Sequence, residues 1–217
     1  KADKPIAKKK EPVKSVTPAQ DTSSGVTASA AELKAEEEAK AAMKGDATAA
    51  VKEDAKGVKA SNEGGWHSPY FQIAKSPEVR KFVDAVSPVL YEIITKDYAW
   101  KCKPENITFE GMWSIINRKN SLNMRHFHPN SHLSAAYYVK AKENCGKIKF
   151  YDPLDQRLIK APRKSVQNDL NIEAVTFTPQ EGDLLIFPSY FHHSVEENLS
   201  GEDRIVISFN VEIQKIS

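Results

Sequence analysis

The sequence predicts a mainly β fold of the α+β type: a jelly-roll barrel with supporting N-terminal helices, preceded by a low-complexity tail. Three observations predict it. No aromatic residue occurs before Trp66, a helical apolar pattern follows that point, and after Lys101 the apolar residues recur with a period of two. Short strands separated by turn signals are typical of a closed or two-sheet β architecture, for which Greek-key jelly rolls are the commonest answer.

Residues 1–64 form the predicted tail. They are mostly Ala, Lys, Glu, Asp, Ser, Thr and Val, a composition that cannot build a hydrophobic core. Ser29 and Glu32 have the spacing of a capping box at the start of an Ala/Glu/Lys-rich stretch, so the tail is predicted to be disordered or weakly helical. One globular domain is therefore expected over residues 65–217.

Composition restricts the classes of partner. The 31 Lys and Arg residues nearly balance 29 Asp and Glu, and the net charge of +2 predicts no strong affinity for nucleic acid or acidic membranes. No apolar run is long enough to cross a bilayer. Cys102 and Cys145 form neither a CxxC pair nor a disulfide framework, although a single bridge between them stays open, so a reducing, cytoplasmic location is expected. A homo-oligomer is also left open.

The first predicted element of the domain is an amphipathic helix. Ser76 is its N-cap and Pro77 its first residue, and apolar residues continue at helical spacing as far as Ile94. Pro88 lies inside this pattern and predicts a kink or a restart with Ser87 as a new cap. The apolar stripe is expected to cover the outside of a sheet.

Eight strands are predicted after this helix. Turn signals at 144–146 and 180–183 and the Asp152-Pro153 pair separate several of them. The predicted strands are Ile107–Asn117, Ser121–His128, Leu133–Ala141, Lys147–Tyr151, Ala174–Thr178, Asp183–Pro188, His193–Glu197 and Arg204–Ile213.

Five of the six histidines fall in two short segments, 126–132 and 192–193. This grouping indicates a metal site, because imidazole is a common ligand of Fe, Zn, Cu and Ni. His126 and His128 are two residues apart and would point to the same face of a strand. His192 and His193 are adjacent and would point to opposite faces, so only one of them is expected to serve the same ion.

Four runs carry a family resemblance: HFHPNSHLSAAYYV at 126–139, GKIKFYDP at 146–153, GDLLIFPSYFHHSV at 182–195 and RIVISFN at 204–210. Together they resemble a family of 2-oxoglutarate and Fe(II)-dependent oxygenases found in marine bacteria and phages. The resemblance covers roughly Trp113 to Val211. It implies a double-stranded β-helix, with supporting helices packed on its larger sheet.

The resemblance also implies a site. His126 and His128 take the positions of the paired metal ligands, His193 takes the distal one, and Arg204 anchors the 2-oxoglutarate tail. A guanidinium suits that task because it grips a carboxylate through two parallel hydrogen bonds. Tyr138 and Ser208 are candidates to line the co-substrate pocket. The implied cofactors are Fe(II), 2-oxoglutarate as small-molecule co-substrate, and O2.

The sequence departs from the superfamily pattern at the metal. His128 stands where a carboxylate is usual in the 2-His-1-carboxylate triad. Three outcomes stay open: a three-His iron site, which we favour, a carboxylate supplied by a nearby acid such as Asp152, or a metal site without oxygenase turnover. Smaller departures are Ala135, where the family tends to have Gly, and Val206, where Ser is common.

The function expected from the resemblance is a non-haem dioxygenase that hydroxylates an unidentified substrate and releases succinate and CO2. The alternatives are a non-catalytic cupin-like metal-binding barrel and a three-His dioxygenase that does not use 2-oxoglutarate. The further candidates for substrate-facing groups are His132, His192, Trp113 and Asn210.

Overall fold

The computed structural model describes residues 57–154, 162–166, 168 and 171–214. The prediction of a disordered or weakly helical tail therefore lies, for residues 1–56, outside the described residues. Within the described part of the chain, no helix combines the length and the apolar character that a membrane span requires.

The domain consists of two antiparallel sheets, and all eight predicted strands are present with bounds that differ by at most two residues. The larger sheet has the order β2-β3-β10-β5-β8 and the smaller sheet the order β1-β4-β9-β6-β7. The strands are β1 (Asn62–Glu63), β2 (Trp66–His67), β3 (Ile107–Asn117), β4 (Leu122–His126), β5 (Leu133–Lys140), β6 (Ile148–Tyr151), β7 (Ala174–Phe177), β8 (Leu184–Pro188), β9 (His193–Val195) and β10 (Arg204–Ile213).

The predicted helix, α1, spans Pro77–Glu92 and continues as a π-helical turn over Ile93–Asp97. The Ser76 hydroxyl caps it by accepting from the Val79 backbone N–H at 3.4 Å. The predicted restart at Pro88 is wrong. The Ser87 hydroxyl donates to the Val83 carbonyl at 2.7 Å, one turn back, and so does not cap a new helix.

The apolar face of α1 packs on the larger sheet and forms the main core. The Phe82 ring contacts the rings of Tyr137 and Phe209, with centroids 5.4 and 6.3 Å apart. Strand β5 is buried from Leu133 to Val139, because one of its faces meets this core and the other faces the interior of the barrel. Cys102 and Cys145 are both buried free thiols.

The predicted domain boundary after residue 64 divides a region that packs as one unit. Strand β1 pairs with β4, placing Asn62 opposite Asn123. Before it, the Val58 N–H donates to the His67 carbonyl at 2.8 Å. Residues 57–64 therefore belong with the barrel, which composition could not reveal because they contain no aromatic residue and only one large apolar one.

A short 3-10 turn and several tight connections join the strands. A 3-10 turn over Pro104–Asn106 leads into β3. Asn120, Asn130 and Asn144 adopt positive φ in the connections, a conformation that Asn tolerates better than most residues. The Asn120 and Asn130 connections flank β4, the strand that ends at His126.

Candidate metal centre and co-substrate pocket

Strands β4 and β9 bring two histidines face to face. His126 ends β4, His193 begins β9, and the two are register partners in the smaller sheet. Cross-strand partners project on the same side of a sheet, so their rings meet, with centroids 4.2 Å apart. His128 lies just beyond β4, with its ring 5.2 and 5.1 Å from the other two. One nitrogen of each ring lies within 4.8 Å of the others, a spacing that can hold one metal ion.

The hydrogen bonds of the three rings define which nitrogen is available. The Nδ1 of His126 contacts the Met124 carbonyl at 2.7 Å, and the Nδ1 of His193 contacts the Phe191 carbonyl at 3.0 Å. A carbonyl only accepts, so each Nδ1 carries the proton and each Nε2 keeps its lone pair. The Nδ1 of His128 donates in the same way to the side-chain oxygen of Asn210 at 2.7 Å.

Burial keeps these histidines neutral. It lowers the pKa of His128 to about 4 and that of His193 to about 3, and the neighbouring His126 lowers the latter further. The pKa of His126 is also lowered, again chiefly by burial. Neutral imidazole is the form that binds a metal, so the cluster is ready for a cation at neutral pH.

Asn210 supports His128 through a buried polar network. Its Oδ1 also accepts from the Ser134 hydroxyl at 2.9 Å, and Ser134 lies 2.7 Å from the Ser189 hydroxyl. Such partners fix the orientation of a metal-binding imidazole. The sequence offered Asn210 as a substrate-facing group. It does line the cavity, but its side-chain oxygen is engaged by His128 and Ser134.

The three rings face a cavity of about 810 Å³ between the two sheets. Alternate residues of β10 line it, because successive side chains of a strand point to opposite faces. Among the described residues, those lining the cavity include neither Asp nor Glu nor Lys. Its β10 residues are Arg204, Val206, Ser208 and Asn210, and Tyr138 from β5 lies beside them.

Arg204 is completely buried at the inner end of this cavity, with 0% of its surface exposed. Its Nη1 donates to the carbonyls of Cys145 and Glu196, the latter at 3.1 Å. Its Nε and Nη2 are buried and have no hydrogen-bond partner among the described residues. A buried cation with two unsatisfied N–H donors is costly unless an anion joins it. This fork fits a carboxylate, which it can bind through two parallel hydrogen bonds.

Tyr138 and Ser208 are the other two predicted co-substrate residues, and Tyr138 lies close enough to the guanidinium to interact with it electrostatically. Both line the cavity, with 1% and 7% of their surfaces exposed. Burial raises the pKa of Tyr138 well above its ordinary value, so its phenol is a neutral hydroxyl at neutral pH. The predicted co-substrate residues therefore come together in the same cavity as the histidine cluster.

Of the remaining candidates from the sequence, one lines the cavity and two do not. Trp113 lines the cavity, with its ring 5.5 Å from that of His128. His132 bonds Glu212 at 2.8 Å and His192 stacks on Phe127 at 4.9 Å, and neither belongs to the cavity lining.

Asp152 likewise lies outside both the cavity lining and the histidine cluster. Its Oδ1 accepts from the Leu154 N–H at 2.9 Å, as a turn residue does. The outcome in which Asp152 completes the metal site is therefore not supported by the geometry, whereas the three-His arrangement is.

Several cavity-lining residues were missed by sequence reasoning, among them one histidine. His67, the one histidine outside the two segments 126–132 and 192–193, lines the cavity. It stacks on Trp113, with ring centroids 5.6 Å apart and planes inclined by 12°. It lies in a two-residue strand, too short for any periodic pattern. The only signal was its place directly after the compositional break at Trp66.

Comparisons with known proteins agree with this geometry. Residues 111–210 match the family described as "Putative 2OG-Fe(II) oxygenase", a segment that contains the three clustered histidines and Arg204. No curated protein sequence matches the chain.

Solved structures share the fold. An oxidoreductase of the 2OG-Fe(II) oxygenase family from Burkholderia pseudomallei is 10% identical with a TM-score of 0.54, over 84% of this chain and 78% of that one. A Pseudomonas putida prolyl-4-hydroxylase is 12% identical with a TM-score of 0.56, over 81% and 88%. HygX from Streptomyces hygroscopicus, solved with nickel and 2-oxoglutarate, is 11% identical with a TM-score of 0.50, over 82% and 80%. At such identities the likeness establishes the fold alone.

Fold and site together define a double-stranded β-helix with a candidate three-histidine metal centre. Over residues 111–210 the chain matches the 2OG-Fe(II) oxygenase family, whose cofactors are Fe(II), 2-oxoglutarate and O2.

Proposed function

We propose that this oxygenase hydroxylates a C–H bond of a substrate still to be identified, with conversion of 2-oxoglutarate to succinate and CO2. One observation carries the proposal: the unsatisfied guanidinium fork of Arg204 shares a cavity with three neutral histidines. The histidine cluster is suited to bind a metal ion, and the buried guanidinium fork is suited to bind a dicarboxylate beside it.

His126, His128 and His193 would hold Fe(II) through their Nε2 atoms. This set differs from the 2-His-1-carboxylate triad of most such enzymes, and it leaves the metal with one more unit of positive charge. When bound, the iron with 2-oxoglutarate and O2 supplies the oxidant that the protein side chains lack. Asn210 and the backbone carbonyls of residues 124 and 191 keep the three rings turned so that Nε2 stays available.

Arg204 would bind the far carboxylate of 2-oxoglutarate through Nε and Nη2. Its Nη1 bonds to backbone carbonyls hold the fork in place before the co-substrate arrives, which limits the entropy lost on binding. Tyr138 and Ser208 would add neutral hydroxyl groups to the same pocket. The barrel walls exclude bulk water, which strengthens the ionic interaction.

The test is an anaerobic titration of Fe(II) and 2-oxoglutarate into the metal-free full chain. We expect a visible charge-transfer band of a metal-chelated 2-oxo acid. Arg204→Met should still bind Fe(II), while its affinity for 2-oxoglutarate falls at least about thirtyfold because a charged hydrogen-bonding partner is lost. Arg80→Met, which removes an arginine from the exposed face of α1, is the matched control.

Tight metal binding without the band would contradict this proposal and favour a three-His dioxygenase that does not use 2-oxoglutarate. Loss of metal binding in Arg204→Met would instead make that arginine a residue of the fold.

A further inference from the structure

One wall of the cavity comes from residues 57–70, which lie outside the family-matched segment 111–210. This wall is tied firmly to β3. The Ser68 N–H donates to the Ser114 carbonyl at 2.9 Å, and the Phe71 N–H donates to the Met112 carbonyl at 2.7 Å. Its cavity-lining residues are Val58, Ala60, Ser61, His67, Ser68, Pro69 and Tyr70.

The wall reaches from the surface to the metal cluster. Tyr70 is 63% exposed at the outer end and contacts the Trp113 ring at 5.5 Å. At the inner end, the Ser61 hydroxyl lies 3.5 Å from the Nε2 of His126. A molecule entering past Tyr70 would therefore follow this wall to the reacting centre.

His67 is buried in the wall, with 7% of its surface exposed, beside the buried Ser68, whose hydroxyl donates to the Pro69 carbonyl and accepts from the Ser114 N–H. Its Nδ1 lies 2.6 Å from the Ser68 carbonyl, so Nδ1 must be the donor. The tautomer is thereby set, and Nε2 is a hydrogen-bond acceptor. Among the described residues, Nε2 has no hydrogen-bond partner.

The co-substrate cannot be the hydrogen-bond donor to the Nε2 of His67. At neutral pH 2-oxoglutarate offers only oxygen acceptors and carries no N–H or O–H donor. The formal charges of the cavity lining come from Arg125 and Arg204, and no carboxylate lies among the described lining residues to attract a cation.

We infer that His67 accepts a hydrogen bond from the substrate, and that the substrate carries, near the C–H bond presented to the metal, a neutral hydroxyl or amide with an O–H or N–H donor, not a cationic amine. This inference rests on the proposed function, because it concerns the substrate side of that site. His67 is a specificity residue in this assignment. Its ring stacks on Trp113, and the hydrogen bond from Nδ1 to the Ser68 carbonyl keeps Nε2 as the acceptor.

Three probes that share a benzyl group test it: benzyl alcohol, benzyl methyl ether and benzylammonium. Each is titrated into the full chain loaded with Zn(II) and 2-oxoglutarate, which gives no turnover, and binding is followed by ligand-observed NMR. We expect the alcohol to bind about fivefold more tightly than the ether, the worth of one hydrogen bond, and the cation to bind most weakly.

His67→Phe keeps an aromatic ring on Trp113 but removes the acceptor, so it should abolish the preference for the alcohol over the ether. His132→Phe, which changes a histidine outside the cavity, should keep it. Equal binding of alcohol and ether, a preference that survives in His67→Phe, tightest binding of the cation, or no saturable binding of any probe would each overturn the inference.

The charge-transfer band separates this result from the proposed function. If the band forms and the alcohol preference is absent, only the role of His67 fails. If the band does not form with Fe(II) and 2-oxoglutarate, the proposed function itself fails.

Discussion

The two sheets of the barrel differ in what supports them and in what they hold. The larger sheet is covered on one face by α1 and borders the cavity on the other, so β5 is buried almost throughout. The smaller sheet has strands of two to five residues, and β7 leaves Val175 and Phe177 exposed. The larger sheet carries Arg204, whereas the smaller one carries His126 and His193.

We therefore expect the larger sheet to contribute most to stability and the smaller sheet to contribute most to metal binding. A sheet buried on both faces contributes most of the apolar burial, and it gives Arg204, the proposed carboxylate anchor, a rigid base. The paired histidines His126 and His193 lie on the shorter strands of the smaller sheet. The two sheets are connected at His128. This residue follows β4 of the smaller sheet, and its hydrogen-bond partners Asn210 and Ser134 belong to the larger sheet.

The largest expected effect is on metal binding from the smaller sheet. His193→Ala should reduce Fe(II) affinity by more than about a hundredfold, because a direct ligand costs more than the supporting groups whose loss costs about 10- to 100-fold. The free energy of unfolding of the metal-free protein should change little by comparison. Metal titration and urea unfolding measure the two quantities.

His192→Ala is the matched control, since it removes the adjacent histidine that lies outside the cavity. It should retain the metal. The reverse pattern would exchange the roles of the two neighbours.

The next effect is on stability from the larger sheet. Phe82→Ala should lower the free energy of unfolding by about 3 to 5 kcal/mol, because it leaves a cavity against Tyr137 and Phe209. Val89→Ala, on the exposed side of the same helix, should change it by within about 0.5 kcal/mol. Similar losses from both variants would contradict the assignment of the main core to this face.

A smaller effect tests the junction between the sheets. Asn210→Leu should weaken Fe(II) binding by about tenfold, because His128 loses the partner that fixes its Nδ1 proton and its ring orientation. Unfolding measurements at saturating and zero metal distinguish this from a general loss of fold. Unchanged metal affinity would mean that the network does not govern His128.

The last expected effect is the pH dependence of the metal-free protein. The pKa values of His128 and His193 are about 4 and about 3 when folded, against about 6.5 when unfolded. Between pH 6.5 and 4 the unfolded chain binds more protons, so stability falls as pH falls, by up to about 1.4 kcal/mol per pH unit for each histidine. His193→Phe should make this slope shallower in urea unfolding at pH 7 and pH 5. An unchanged slope would show that His193 does not contribute to it.

Much of the architecture could be predicted because its signals are periodic. The alternation of β3 and β10 gave their bounds to the residue, and the spacing of His126 and His128 indicated a shared face. Strand order along the chain does not state which strands pair, so the meeting of His126 with His193 followed only from the family resemblance.

The unpredicted features depend on long-range contacts. The bond from His128 to Asn210 joins residues 82 positions apart. β1 and β2 have two residues each, too few to show a periodic pattern. The sequence therefore did not indicate that His67 lines the cavity or that residues 57–64 pack with the barrel. Pro88 is accommodated because the rest of the apolar face of α1 stays packed on the sheet, a tertiary effect that a local rule does not include.

The cavity wall of residues 57–70 and the histidine cluster come from separate stretches of sequence. During divergence of such genes, a short exchange upstream of α1 would alter what enters the barrel and leave the oxidising machinery untouched. Laboratory recombination could use the same division: grafting this stretch between relatives would redirect selectivity without rebuilding the reaction centre.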